Sequence, residues 1–185
     1  MATPSDVIHD RARAVDTIVI GGLLAGILDL TDAFIVTAIN GGAPTRVLQA
    51  IASGVLGRQA YQAGAAAVAL GLALHFVIAI GAASAFFLIS RLLPAVLRHA
   101  VWSGIAFGLA VWAFMYYGVL PITFSRPNVL PAWPLLINQL GIHALGVGLP
   151  ITLVARRSAR CGVKRIGSIE MTTSGSSHKA TASVR

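Results

Sequence analysis

The sequence has few charged residues and almost no cysteine. Only 11% of its 185 residues are charged, 6 are acidic, and Cys161 is the single cysteine. An intramolecular disulfide and a cysteine-rich zinc site are therefore excluded. Aromatic residues make up 7% of the chain and are not interleaved with the basic ones, so we expect no nucleic-acid surface despite the net charge of +8.

Apolar residues dominate the composition. They make up 56% of the chain, and the mean hydropathy is +0.80. A soluble domain needs a mixed polar surface, so this composition predicts a polytopic membrane protein with the lipid bilayer as its partner. We predict an all-α fold, an integral membrane four-helix bundle, from apolar runs at about 17–39, 64–90, 100–121 and 134–155.

The chain divides into an N-terminal segment (1–14), a four-span transmembrane domain (15–157) and a basic tail (158–185). The tail is rich in Ser and Thr and poor in large apolar groups, which predicts disorder. The first apolar run is longer than a signal-peptide core and lacks a small-x-small cleavage site, so we expect a retained span.

Basic residues are distributed unevenly between the two sides of these spans. One side carries Arg11, Arg13, Arg91, Arg98, Arg156, Arg157, Arg160, Lys164 and Arg165, whereas the other carries Arg46, Arg58 and Arg126. The positive-inside rule therefore predicts that both termini are cytoplasmic.

The first outer loop, "GGAPTRVLQAIASGVLG", has a helical pattern of its own. Val47, Leu48, Ile51 and Val55 recur at helical spacing between polar residues. This pattern predicts a short amphipathic helix over residues 44–57 that lies at the outer interface. A re-entrant segment that dips into the bundle is the alternative.

Four ionisable residues interrupt the predicted spans: Asp29, Asp32, His75 and His143. At about 1.5 Å per residue, Asp29, His75 and His143 fall within roughly 3 Å of the midplane, and Asp32 lies one turn further out. A charge facing lipid at that depth costs at least about 2.5–3.5 kcal/mol, so we expect these groups to face the bundle interior. Nearer the outer end, the fourth span adds two polar lining residues, Asn138 and Gln139.

Three functional hypotheses follow from this cluster. The first is a proton or cation site formed by the four ionisable residues; four helices leave little room for alternating access, so it also predicts a homo-oligomer. The main prediction includes no cofactor; the second hypothesis is a metal or haem site at His75 and His143, in its haem form a redox protein with the two histidines as axial ligands. The third is a non-catalytic structural or accessory protein whose polar cluster fixes the bundle.

We do not predict an enzyme, because the sequence contains no G-x-S-x-G elbow, P-loop or H-E-x-x-H helix. Three segments, "GGLLAGILDLTDAF", "RVLQAIASGVLGR" and "ALGLALHFVIAIGAA", resemble a bacterial four-span inner-membrane protein family of unknown function. The resemblance covers roughly residues 15–157. It implies an inner-membrane location and a loop helix, and it supplies no activity, cofactor or catalytic residue.

Overall fold

The computed structural model describes residues 14–121 and 130–160, and all regular structure within these ranges is helical. The main helices are α1 (Asp16–Ile39), α2 (Thr45–Leu56), α3 (Gly64–Leu92), α4 (Ala100–Val119) and α5 (Trp133–Arg160). A four-residue helical turn, Ala95–Arg98, lies between α3 and α4. All except α2 are long and apolar enough to cross a membrane. The all-α, four-span prediction is confirmed, and α2 occupies the predicted loop.

The four long helices agree with the predicted spans to within a few residues. The largest difference is at the end of α5, which continues to Arg160, so residues 158–160 belong to this helix although the sequence assigned them to the tail. Arg156, Arg157 and Arg160 lie in its last turns, where cationic side chains interact favourably with the helix dipole. The rest of the predicted N-terminal segment and tail, including Cys161, lies outside the described residues.

The long helices pack through glycines. Gly22 and Gly26 of α1 lie against Ile80 and Phe76 of α3, and Gly21 lies against Ile151 of α5. Helix α1 therefore packs against both α3 and α5, antiparallel to each.

Helices α4 and α5 approach each other even more closely. The α-carbon of Gly108 faces the carbonyl oxygen of His143, and that of Gly148 faces the carbonyl oxygen of Gly104. A Cβ at either glycine would overlap that oxygen, so these small residues set the spacing of the two backbones.

Helix α2 lies along the side of α3. Leu48 and Ala52 are buried, and the backbone of Leu48 contacts Gly71, about 10 Å from the start of α3 at 1.5 Å per residue. Two glycines with positive φ, Gly57 at 62° and Gly64 at 57°, bracket the 3-10 turn Gly57–Tyr61 that connects α2 to α3. The left-handed conformation is open to glycine without a Cβ clash, so the chain reverses there.

We name the two ends of the bundle by their residues. The arginine end carries Arg91, Arg98, Arg156, Arg157 and Arg160; the loop end carries α2. The main buried core lies towards the arginine end, where Phe86 of α3 meets Phe107 of α4 edge to face at 5.1 Å between ring centroids. Its other members come from α1, α3 and α5: Ala25, Ala83, Val147, Ile151 and Ala155.

Candidate functional site

Asp29 of α1 and His143 of α5 face each other near the middle of the bundle. Oδ1 of Asp29 lies 3.9 Å from Nδ1 of His143, and their side chains are 26% and 18% exposed. Both groups are thus partly shielded from solvent. In such surroundings a carboxylate and an imidazole interact more strongly than they would in bulk water.

The His143 ring also has a partner within α5. Its Nδ1 lies 2.9 Å from the carbonyl oxygen of Gln139. A carbonyl oxygen can only accept, so Nδ1 carries the hydrogen in this bond. In the neutral ring, Nε2 is therefore the basic nitrogen, and Asp29 lies on the N–H side of the imidazole.

Asp32 has a separate partner on α5. Nδ2 of Asn138 donates a hydrogen bond of 2.7 Å to Oδ2 of Asp32. Asp29 and Asp32 therefore both contact α5, as expected for residues three apart that share a helix face. Each carboxylate has its own partner, His143 for Asp29 and Asn138 for Asp32.

Gln139 extends this polar line towards α4. Nε1 of Trp112 donates a hydrogen bond of 3.3 Å to Oε1 of Gln139. The indole ring also stacks on Tyr116, with 5.2 Å between ring centroids. The sequence analysis missed Trp112. An indole N–H inside an apolar span needs an acceptor, and Gln139 is one of the few polar side chains at a similar depth.

His75 lies at a similar depth but contacts a different part of α1. Its Nε2 lies 2.9 Å from the carbonyl oxygen of Gly26, one turn before Asp29. Because the carbonyl only accepts, Nε2 carries the hydrogen here. A haem bridging His75 and His143 would have to fit between α3 and α5, and α1 packs against both. This arrangement does not favour the haem hypothesis.

The backbone around His143 departs from α-helical geometry. Residues Ile142–Gly148 are π-helical, and the N–H of Leu149 donates to the carbonyl of Ala144, five residues earlier. Pro150 follows directly. A proline has no N–H and crowds the carbonyl four residues before it, here that of Gly146, so the wider turn relieves the clash. Asp16–Gly21 of α1 and Phe114–Val119 of α4 are π-helical as well, so the turn at His143 does not by itself mark a functional site.

Among the described residues, no three or more His, Cys, Asp or Glu side chains are grouped so that they could hold a metal ion. Instead, one Asp–His pair lies beside one Asp–Asn pair. An imidazole and a carboxylate can each take up and release a proton, so this arrangement suits proton binding. No family model matches the sequence, and neither a curated protein nor a solved structure matches the chain.

Proposed function

We propose that this chain is a small multi-pass membrane protein that binds and relays protons at the Asp29–His143 pair. The observation that carries the proposal is the 3.9 Å separation between Asp29 Oδ1 and His143 Nδ1, partly buried at mid-helix. An ionisable residue in a membrane span is a candidate for a functional group because placing it there is costly.

The geometry supports a relay through the imidazole ring. A proton added to Nε2 of His143 makes an imidazolium whose Nδ1–H is donated to the Gln139 carbonyl, with Asp29 Oδ1 3.9 Å from the same nitrogen. A small approach brings Asp29 Oδ1 within hydrogen-bond distance, and the Nδ1 proton passes to the carboxylate. His143 is then neutral with its hydrogen on Nε2, and Asp29 is a neutral acid, so charge and protons balance.

A structural role is the second candidate function. Within the described part of the chain, every buried side-chain nitrogen or oxygen has a hydrogen-bond partner. The same complete hydrogen bonding is required if these polar groups serve only to hold α1, α4 and α5 together. The two functions differ in whether protons cross the membrane.

We further propose that the protein resides in a bacterial inner membrane with both termini cytoplasmic. The arginine end would then face the cytoplasm, as the positive-inside rule predicts. The resemblance of residues 15–157 to an inner-membrane family supports the same location. Proton transfer across a bundle of four spans favours a homo-oligomer as the working unit.

Proton flux into vesicles tests the relay. The purified full-length chain is reconstituted into liposomes holding a pH-sensitive dye, and a potassium diffusion potential drives protons inwards. The wild-type protein should acidify the lumen, and Asp29→Asn should reduce the rate at least about tenfold because its amide cannot accept the proton.

Asp16→Asn is the matched control. Asp16 lies at the arginine end and accepts a hydrogen bond of 3.1 Å from Ser158, away from the pair. Its variant should keep the wild-type rate. If Asp29→Asn elutes as the wild type does in size-exclusion chromatography and transports protons equally fast, or if the wild type transports none, the relay is wrong and the structural role stands.

A further inference from the structure

Burial along the inward face of α3 changes sharply near His75. Leu72, Ala79 and Phe86 lie seven residues apart, so they share one side of the helix. Leu72 is 40% exposed, whereas Ala79 and Phe86 are 9% and 1% exposed. The same side of α3 is therefore packed towards the arginine end and open towards the loop end.

Fraying at the helix ends does not explain this difference. Ser90 lies two residues before the end of α3 and is only 3% exposed. By contrast, His75 lies about 16 Å from the opposite end of the helix and is only partly buried. The opening thus reaches deep into the bundle from the loop end, while the arginine end is packed almost to its last turn.

The other long helices follow the same trend. In α1 the last buried residue before the loop end is Leu30, and in α4 it is Gly108. In α5 the residues between Trp133 and Gly141 include one buried position, Leu136, whereas buried positions are frequent after His143. On α1, α4 and α5 the change occurs close to the level of Asp29 and His143. On α3 two residues beyond that level are buried, Ala67 and Gly71, but they pack against α2 and its following turn and not against the other long helices.

The amide and indole groups near the pair lie in the open half, whereas the buried polar residues of the packed half are hydroxyl-bearing: Thr17, Ser90, Thr152 and Ser158. Asp32, Asn138, Gln139 and the Trp112 indole lie on the loop-end side of the Asp29–His143 pair. The packed half contains the apolar core around Ala25, Phe86 and Ile151. A partly exposed carboxylate in lipid costs at least about 2.5–3.5 kcal/mol, so the exposed surface of Asp29 and Asp32 favours contact with water.

We infer that the loop-end half of the bundle encloses a water-accessible vestibule whose floor is the Asp29–His143 pair, and that the arginine-end half is a dry plug. Water and hydronium reach the pair from the loop end in this conformation. That protons use this entrance rests on the proposed function; the vestibule itself rests only on burial and polarity.

Thiol accessibility tests the vestibule without measuring transport. Single cysteines are placed in the full-length chain after Cys161→Ser has removed the native thiol. Leu72→Cys lies in the vestibule, Ala83→Cys lies in the plug at 0% exposure, and Val77→Cys lies at 65% exposure on the opposite side of α3. The probe is a positively charged, membrane-impermeant methanethiosulfonate, which reacts with the thiolate and therefore needs water.

Leu72→Cys should react at least about tenfold faster than Ala83→Cys and Val77→Cys, because only its thiol meets water. In sealed vesicles it should react from the same side as Gln59→Cys, which lies in the exposed turn at the loop end. Full labelling of every variant after denaturation in SDS shows that each thiol is present and free.

Two results would overturn the vestibule. One is protection of Leu72→Cys under conditions that label Gln59→Cys; the other is equal labelling of Ala83→Cys from the arginine end. Met115 of α4 is partly buried and lies seven residues after Gly108, which faces α5. Met115→Cys is therefore a second vestibule position; it tests the same opening if Leu72→Cys misfolds, and it should react as Leu72→Cys does. Labelling in this pattern together with absent proton flux would refute the proposed function and leave the vestibule intact.

Discussion

Asn138 near the start of α5 donates a 2.7 Å hydrogen bond to Asp32 of α1, a residue 106 positions earlier in the chain. The bond joins the first and last long helices on the loop-end side of the Asp29–His143 pair. Asp32 is only partly buried, and the Asn138 amide supplies a hydrogen bond that would otherwise have to come from water. The stability of the α1–α5 contact therefore depends on Asn138.

Asn138→Leu should destabilise the protein by about 0.5–1.5 kcal/mol, because Asp32 loses its donor and water from the loop end replaces that bond only in part. SDS titration followed by tryptophan fluorescence measures the change in unfolding free energy. Ile137→Ala is the control, since Ile137 is 64% exposed and should contribute little.

Replacing both partners should restore much of that loss. The double variant combines Asp32→Leu with Asn138→Leu, so no polar group is left without its partner. Replacing both members of a hydrogen-bonded pair by apolar residues has little effect on stability in many proteins. A double variant that is less stable than Asn138→Leu by a further 2 kcal/mol or so would mean that Asp32 makes stabilising interactions besides this hydrogen bond.

Gly108→Ala should disrupt the α4–α5 contact. The added Cβ would overlap the carbonyl oxygen of His143, and backbone cannot move aside as a flexible side chain can. We expect a loss of about 1–3 kcal/mol, the range for overpacked cores, measured by the same SDS titration.

Gly141→Ala provides the matched control for that substitution. Gly141 is also helical, but a Cβ added there would meet no atom within 4 Å beyond the adjacent backbone of its own helix. Alanine there should stabilise the chain by about 0.5–1 kcal/mol through its better helix propensity. Equal losses in both variants would show that the close contact at Gly108 does not set the helix spacing.

The two central histidines should carry their hydrogens on different nitrogens. His143 donates from Nδ1 to the Gln139 carbonyl, and His75 donates from Nε2 to the Gly26 carbonyl. The chain has five histidines, so the signals of these two rings are assigned by their loss in His75→Gln and in His143→Gln. Nitrogen-15 NMR of histidine-labelled protein at a pH where both rings are neutral should show the two assigned rings as different tautomers. The same tautomer for both would contradict this hydrogen-bond pattern.

The long helices could be predicted because their causes are local. Each is a run of about 20 or more apolar residues bounded by charge, Pro or Gly, and the loop helix showed its own apolar spacing. Depth could be predicted as well, since a fixed rise per residue puts Asp29 and His143 at one level before any partner is known.

The partners themselves could not be predicted, because they depend on helix order and rotation. His75 was grouped with the carboxylates, yet it contacts the backbone carbonyl of Gly26, an acceptor that every residue offers. The π-helical turn at Ile142–Gly148 has a sequence signal in Pro150, but its extent depends on packing against α4. The uneven burial along α3 likewise exists only once all four helices are assembled.

The most direct test of the central claim is to observe the proton on Asp29. Infrared difference spectra of the full-length protein, recorded between low and high pH, should contain a carboxylic-acid C=O band that shifts in D₂O. The chain has six acidic residues, so the band has several components. The component that belongs to Asp29 should be absent in Asp29→Asn and present in Asp16→Asn. A spectrum with no such band, or one whose band is unchanged in Asp29→Asn, would contradict proton binding at the Asp29–His143 pair.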